Sequence, residues 1–359
     1  MRPEPRSGPR RAMPWGDLPR GSFPGDGLAV IDKDPGVTSH DVVGAVRRLA
    51  GTKKVGHAGT LDPMATGVLC IGLGRATKLL RYVTGTAKEY EATIRFGIET
   101  STEDAQGELV RARGAQGVDA AELALAMANL TGDVLQVPSS VSALKVEGRR
   151  AYDLVREGRE VVLDARPIRV DVFEAVGGPR FAEACGAPVF DVDVRVVCGA
   201  GTYVRALARD LGEELGFGAH LTSLRRTRVG PWDVGEAASV RECADAVEAD
   251  GQIPVHTLAD LCRAMFPALE VSEEAARDLR MGRFVSADSP FDFLGVKAAA
   301  SDALAPSAAG RDAPGSGSDG PGSGSAVAVA WSGGTPVALV SRRGGRVKPD
   351  LLLTPASEE

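Results

Sequence analysis

Residues 88–97, KEYEATIRFG, alternate without a break: Tyr90, Ala92, Ile94 and Phe96 fall on one side of an extended chain, Glu89, Glu91, Thr93 and Arg95 on the other. Successive side chains of a strand point to opposite faces, so this stretch reads as a half-buried strand. IRVDVFEAV (168–176) and FDVDVRVVC (190–198) repeat the period, and GLAVIDKDPG (27–36) reads as a short buried strand closed by a Pro-Gly turn. Helical periods lie between these strands. In TSHDVVGAVRRLAG, Val42, Val46 and Leu49 share a face, with Ser39 as N-cap, Asp41 in the first turn and Gly51 as the stop. DAAELALAMANLTG (119–132) reads as a capped helix ending at Gly132, and RAYDLVREG (150–158) as a short one. TYVRALARDLGEELG (202–216) lines Val204, Leu207, Ala208, Leu211 and Leu215 along one face and leaves Arg205 and Arg209 off it. Strands and helices mix without a regular βαβ repeat, so the expected class is α+β with a mainly antiparallel sheet.

A chain of 359 residues has room for two domains. Residues 1–26, basic and Pro-rich with no apolar h-region, read as a disordered leader and not a secretory signal. Residues 27–255 form the expected main domain. Residues 256–359 read as a smaller β-rich domain: VSEEAARDLRMGR (271–283) is a capped helix stopped by Gly282, and AVAVAW and PVALVS flank SGGT as a hairpin. The Gly/Ser/Ala-rich stretch 298–326 reads as a flexible insertion within it. No apolar run approaches the roughly 18–20 residues that span a bilayer. Cysteines 70, 185, 198, 243 and 262 are odd in number and never spaced CxxC, which argues against a disulfide framework or a zinc site and for a cytoplasmic location. Cys70 and Cys198, in apolar runs, read as small core hydrophobes.

The net charge of −6 speaks at first against a nucleic-acid partner. Its distribution softens that: residues 51–100 carry seven Lys/Arg against four Asp/Glu, while residues 231–320 carry sixteen acids against seven bases. A locally basic surface can steer a polyanion whatever the sum.

That basic segment holds GHAGTLDPMATGVL (56–69), in which one carboxylate, Asp62, sits in a Gly-rich turn. It has no second acid close in sequence, no Cys/His cluster and no P-loop lysine. Taken alone, Asp62 is a turn residue bonding its own backbone, His57 an ordinary loop histidine and Tyr90 a core residue. The wider string changes the weighing. KVGHAGTLDPMATGVLCIGLGRATKL (54–79) closely resembles the signature of TruB-type pseudouridine synthases, and four further blocks follow that family's order: IDKDPGVTSHDVV, KEYEATIRFGIETSTEDAQGE, SALKVEGRRAYDLVREG and CGAGTYVRALARDLGEELGFGAHLTSLRRTRVG. The resemblance spans residues 28–235, and the C-terminal hairpin region resembles, more weakly, the family's PUA-like RNA-binding domain. Asp34 in DKDPG and Val141 before SALK depart from the usual pattern.

The resemblance implies a pseudouridine synthase sheet and isomerisation of uridine 55 in the T-loop of tRNA by a stand-alone bacterial enzyme. That reaction needs no cofactor or metal, no protein partner or membrane is expected, and a monomer is the default expectation. The family's aspartate aligns with Asp62. By the same resemblance His57 takes the space a flipped base vacates, Tyr90 stacks on the uracil and helps with the C5 proton, and Arg205 of GTYVR keeps the carboxylate ionised. Tyr203 and Leu224 match further pocket positions. Lys33 and Lys78, with RRTR (225–228), are the expected phosphate contacts. Two other readings stand beside this one: the guide-RNA-dependent branch of the same fold, whose lysine-rich tails this chain lacks, and an RNA chaperone without chemistry, for which the mark would be loss of Asp62.

Overall fold

The structure, a computed structural model, describes residues 13–23, 25–139, 145–146, 149–150, 163–286, 327–343 and 345–354. The principal strands are β1 (Gly27–Lys33), β2 (Val55–Ala58), β3 (Thr66–Leu73), β4 (Lys88–Phe96), β5 (Gly132–Gln136), β6 (Arg166–Ala184), β7 (Ala187–Cys198) and β8 (Ala219–Val229). They order as β1-β3-β8-β4-β7-β6-β5, with β2 paired to Cys70–Leu73 of β3 on the edge that β8 joins at Thr66 and Gly67. All pairs along that path are antiparallel except β3 with β8, which run parallel through Arg225↔Thr66 and Arg226↔Gly67. The α+β expectation stands, and the parallel contact between β3 and β8 lies beside the turn that carries Asp62.

Alternation in β4 buries Tyr90, Ala92, Ile94 and Phe96 as the period requires, and Phe96 stacks on Phe190 of β7 with ring centroids 4.7 Å apart. Helix α1 (Ser39–Leu49) buries Val42, Val46 and Leu49 against the sheet. Its cap differs from expectation by one residue. Thr38 is extended and closes a capping box with Asp41, accepting from the Asp41 amide at 3.1 Å, while Ser39 is already helical and turns inward. Helices α2 (Leu80–Gly85) and α3 (Ala120–Asn129) follow, the latter capped by Asp119. In α4 (Val204–Glu214) the expected apolar face is buried against β8. Of the helix expected at 150–158 only Arg150 is described, in a short strand with Arg149, and the insertion at 298–326 lies outside the described residues.

After α5 (Val240–Asp250), helix α6 (Leu258–Met265) joins the main sheet to a second, five-stranded one. Its Leu261, Cys262 and Met265 pack with Leu28 and Cys70 on one side and Val329, Trp331 and Leu339 on the other. The smaller sheet holds β9 (Ala268–Glu270), β10 (Val327–Ser332), β11 (Thr335–Arg343), β12 (Arg346–Leu352) and a two-residue edge strand, Val285–Ser286, on β12, with α7 (Glu273–Arg280) against it. The hairpin expected around SGGT is β10–β11, turning at Gly333 and Gly334. No helix among the described residues is long and apolar enough to cross a membrane.

The N-terminal segment corrects the sequence reading. Residues 13–23 are packed onto the fold, not held apart from it as a leader. Trp15 is 4% exposed and donates its indole N–H to Asp34 Oδ2 at 2.6 Å. Phe23 N donates to Ala50 O and Ser22 N to Gly251 O. The segment's composition looked unfolded because two apolar anchors, Trp15 and Leu18, are diluted among prolines and arginines. Trp15→Phe keeps one aromatic ring but loses the fused pyrrole with its N–H, so it should lower stability by about 1–3 kcal/mol, read from the urea midpoint at constant m-value. An unchanged midpoint would remove that hydrogen bond from the account.

Candidate active site

The turn joining β2 to β3, residues 59–65, carries Asp62, and side chains from three elements hold its backbone. Ser39, at the start of α1, accepts from Leu61 N at 2.9 Å and donates to Leu61 O at 3.1 Å. Lys33, at the end of β1, donates to Pro63 O at 3.3 Å, Val37 O at 2.8 Å and Asp34 O at 2.9 Å. Arg226, on β8, donates from Nη2 to Gly59 O at 3.1 Å, from Nη1 to Thr60 O at 3.4 Å and from Nε to Val68 O at 2.7 Å. Gly67 has φ +97°, and a Cβ there would lie 2.1 Å from Arg226 O, so only glycine lets β3 and β8 meet at this point.

Asp62 faces Arg205, the second residue of α4. Arg205 Nε lies 2.9 Å from Oδ2 and Nη2 3.2 Å from Oδ1, a two-point pair. Arg205 is 4% exposed and Asp62 36%, so the cation is sunk behind a carboxylate that solvent can reach. Arg205 Nη1 continues to Thr102 O at 2.7 Å and Ser139 Oγ at 3.1 Å. The other acid near the guanidinium, Asp104, is buried at 3.8 Å from Nε. Its Oδ1 accepts from Thr102 Oγ1 and Gln106 N, closing the TSTEDAQG turn on itself. Gly107 is required there: a Cβ would stand 2.5 Å from Thr102 Oγ1. One helical turn beyond Arg205, Arg209 Nη1 donates to Glu103 Oε1 at 2.6 Å and pins the same turn.

The remaining sequence candidates divide. Tyr90 and Leu224 are buried on the inner face of adjoining strands. Burial holds the Tyr90 phenol above its ordinary pKa. His57, on β2, is half-buried edge-on to His40 with ring centroids 5.6 Å apart, and burial followed by His40 pushes its pKa below the usual histidine value. Tyr203 is the N-cap position of α4. Lys78 is exposed on the 74–78 turn. Lys33 is corrected: it is fully buried, with its ammonium on three carbonyls, and presents no charge to solvent. RRTR is corrected as well, because it is not an open basic face. Arg225 pairs with Asp32 at 2.6 Å, Arg226 is buried, and Arg228 pairs with Glu89. The loop-bracing roles of Ser39, Arg226 and Ser139 were missed. Alternation could have found two of the buried cations, since Leu224 and Arg226 share a strand face, as do Ile31 and Lys33.

Burial pushes Lys33 down to about 8, against the pull of Asp34 and Asp62. It also pushes Lys88, whose Nζ sits on Thr84 O and Thr86 O, down to about 8, with Arg226 adding to the fall. An unfolded lysine releases its proton near 10.5. Between pH 8 and 10.5 the unfolded state therefore binds more protons, and stability rises with pH. Lys88→Met removes its share, so the wild-type-minus-variant difference in unfolding free energy should grow by about 1–3 kcal/mol between pH 7.5 and 10. A difference that stayed flat would refute the buried charge. Comparing the two proteins cancels the titration of the buried cysteines.

A two-point arginine–aspartate pair on a braced, solvent-facing turn is a candidate site for carboxylate chemistry. The comparisons give the chain its class. Residues 47–204 match the model of the TruB family pseudouridylate synthase N-terminal domain, and residues 205–269 match that of the tRNA pseudouridylate synthase B C-terminal domain. The chain belongs to the TruB family of pseudouridylate synthases. The Asp62–Arg205 pair joins the two matched regions. A protein named tRNA pseudouridine synthase B from Arthrobacter sp. (strain FB24) is 47% identical over 333 residues, covering 93% of this chain and 98% of that one. One of the same name from Mycobacterium leprae (strain TN) is 51% identical over 262 residues, covering 73% and 80%. Among solved structures, an H/ACA RNP bound to a substrate RNA containing 2′-deoxyuridine matches with TM-score 0.60 at 21% identity, covering 92% of this chain and 85% of that one. A Cbf5-Nop10-Gar1 complex matches with TM-score 0.61 at 22% identity over the same shares.

Proposed function

We propose that this chain isomerises uridine 55 in the T-loop of tRNA to pseudouridine, with Asp62 as the one reacting carboxylate. The observation that carries the reading is the Asp62–Arg205 pair. A buried guanidinium holds the Asp62 carboxylate in one orientation, and of the two acids beside it among the described residues Asp62 is the one that solvent reaches. Pseudouridine formation breaks the C1′–N1 bond, turns the uracil over and joins C1′ to C5. N1 ends protonated and C5 gives up its hydrogen, so atoms and electrons balance without an oxidant. One carboxylate acting as nucleophile or base is sufficient for this.

A uridine stacked in a folded loop must first be flipped out, at a cost of a few kcal/mol. His57, at the mouth beside His40, fills the vacated space. Tyr90 stacks on the flipped ring and, kept neutral by burial, serves the C5 proton. Tyr203 and Leu224 line the pocket, and Lys78 contacts phosphate. Residues 27–255 act as the catalytic domain, and residues 256–359 as a PUA-like RNA-binding domain. The enzyme works as a cytoplasmic monomer with no cofactor and no protein partner. The test is tritium release from C5-labelled uridine in a T-arm stem-loop by purified protein without added cofactor. Release is expected, and it should vanish when position 55 is cytidine. No release from the stem-loop or from full-length tRNA would overturn the reading.

A further inference from the structure

Gln136 closes β5, and its side chain crosses to the start of α4. Its Nε2 donates to Tyr203 O at 3.1 Å, and its Oε1 accepts from Tyr203 N at 2.9 Å. The amide is 2% exposed. Tyr203 is the N-cap residue of α4, and its carbonyl also accepts the first helical hydrogen bond, from Leu207 N at 3.1 Å. The two-point amide contact therefore stands in for a strand partner and sets the backbone from which the helix departs. Arg205 follows two residues later. Three residues beyond Gln136, Ser139 Oγ accepts from Arg205 Nη1. One short segment thus grips both the backbone that launches Arg205 and the guanidinium at its far end. A guanidinium is planar, so fixing Nη1 on Thr102 O and Ser139 Oγ turns the Nε/Nη2 edge toward Asp62. Burying an amide is costly unless both of its ends are bonded, and here both are bonded to the same residue.

We infer that Gln136 is a positioning residue for the isomerisation: it aims Arg205, and through Arg205 the Asp62 carboxylate, with Ser139 completing the bracket. This rests on the reading of Asp62 as the reacting group. The test is a double-mutant cycle, with kcat and KM on the labelled T-arm stem-loop and single-turnover rates for slow variants. Gln136→Met keeps the volume and loses both hydrogen bonds. It should lower kcat about tenfold or more with KM within about threefold, because misplacement of about 1 Å at a site costs up to about a hundredfold. In an Arg205→Lys background, where the two-point pair is already gone, the same change should cost less than about twofold. Losses that multiply would place Gln136 in general folding and overturn the inference, as would wild-type kcat in Gln136→Met. Ser139→Ala removes one oxygen and gives a second reading if Gln136→Met does not fold. It should cost about threefold alone and under about twofold with Arg205→Lys, and multiplying losses would again overturn the bracket. Asp62→Asn separates the two failures. Turnover by that variant overturns the Asp62 reading, whereas an inactive Asp62→Asn beside an unaffected Gln136→Met overturns only the bracket.

Discussion

Asp62→Asn is expected to lose about 10⁴ or more of turnover while RNA affinity stays within about tenfold of wild type. Asparagine keeps the shape of the side chain and removes the charge, so neither a carboxylate nucleophile nor a carboxylate base remains. The geometry adds a second loss. Arg205 presents Nε at 2.9 Å and Nη2 at 3.2 Å to the two carboxylate oxygens. An amide offers one oxygen, and its NH₂ must face the other donor. The buried guanidinium loses one of its two carboxylate contacts, and Asp104, 3.8 Å from Nε, is the other acid beside it among the described residues. Stability should therefore fall by about 1–3 kcal/mol, small enough for the protein to stay folded and be assayed. The turn itself survives, since Ala65 N bonds the Asp62 carbonyl and Ser39 holds Leu61 on either side of the peptide. Affinity for RNA comes chiefly from phosphate contacts, and removing one negative charge from the pocket takes away a repulsion. Single-turnover rates and filter binding at one fixed salt concentration decide the matter. Turnover within tenfold of wild type would remove Asp62 from the chemistry, and a collapse in affinity would make it a folding residue.

Local periodicity carried much of this structure. The alternation of β4 placed Tyr90 on the buried face, and the stripe of α4 left Arg205 outside the apolar set, where a functional contact was open to it. Two things were not legible from local pattern. The first is pairing across the chain: Asp62 and Arg205 are 143 residues apart, and only the sheet order, with β8 between β3 and β4, brings α4 over the β2–β3 turn. The second is the burial of charge. Lys33 and the RRTR arginines read as solvent-facing because a cation is seldom buried. Their strands nonetheless put Lys33 in line with Ile31, and Arg226 in line with Leu224, on the inner face. The turn they brace exposes backbone carbonyls inward, and those carbonyls make burial of the cations tolerable. Trp15 shows the same limit from the other side: one aromatic ring among prolines carries little composition signal and still packs.

Arg226→Met is expected to be the most destabilising single change at this site, by about 3–5 kcal/mol. Arg226 is 1% exposed and heads the largest fully buried side chains. Replacing a buried ion pair by apolar groups can be neutral, because both charges leave together. That does not apply here. Its partners include the backbone carbonyls of Gly59, Thr60 and Val68 and the neutral Tyr90 phenol, which all remain after the guanidinium is gone. Val68 O is buried with its bond to Nε, so water cannot readily replace the donor. Methionine fills much of the volume, which separates loss of donors from loss of packing. Gly59 and Thr60 lead directly into Asp62, so turnover should fall by about a hundredfold even where the variant is folded. The charge has a second signature. Arg226 helps to hold Lys88 down near 8, so its removal should let Lys88 titrate higher and narrow the alkaline window in which stability rises. Arg228→Met is the control: it lies on the same strand, but its pair with Glu89 is exposed, and the change should cost under about 1 kcal/mol. Urea unfolding of the two variants side by side gives the answer. Equal, small losses would mean that the buried guanidinium is not what holds the Asp62 turn, and that the turn's shape comes from Ser39, Lys33 and its own glycines.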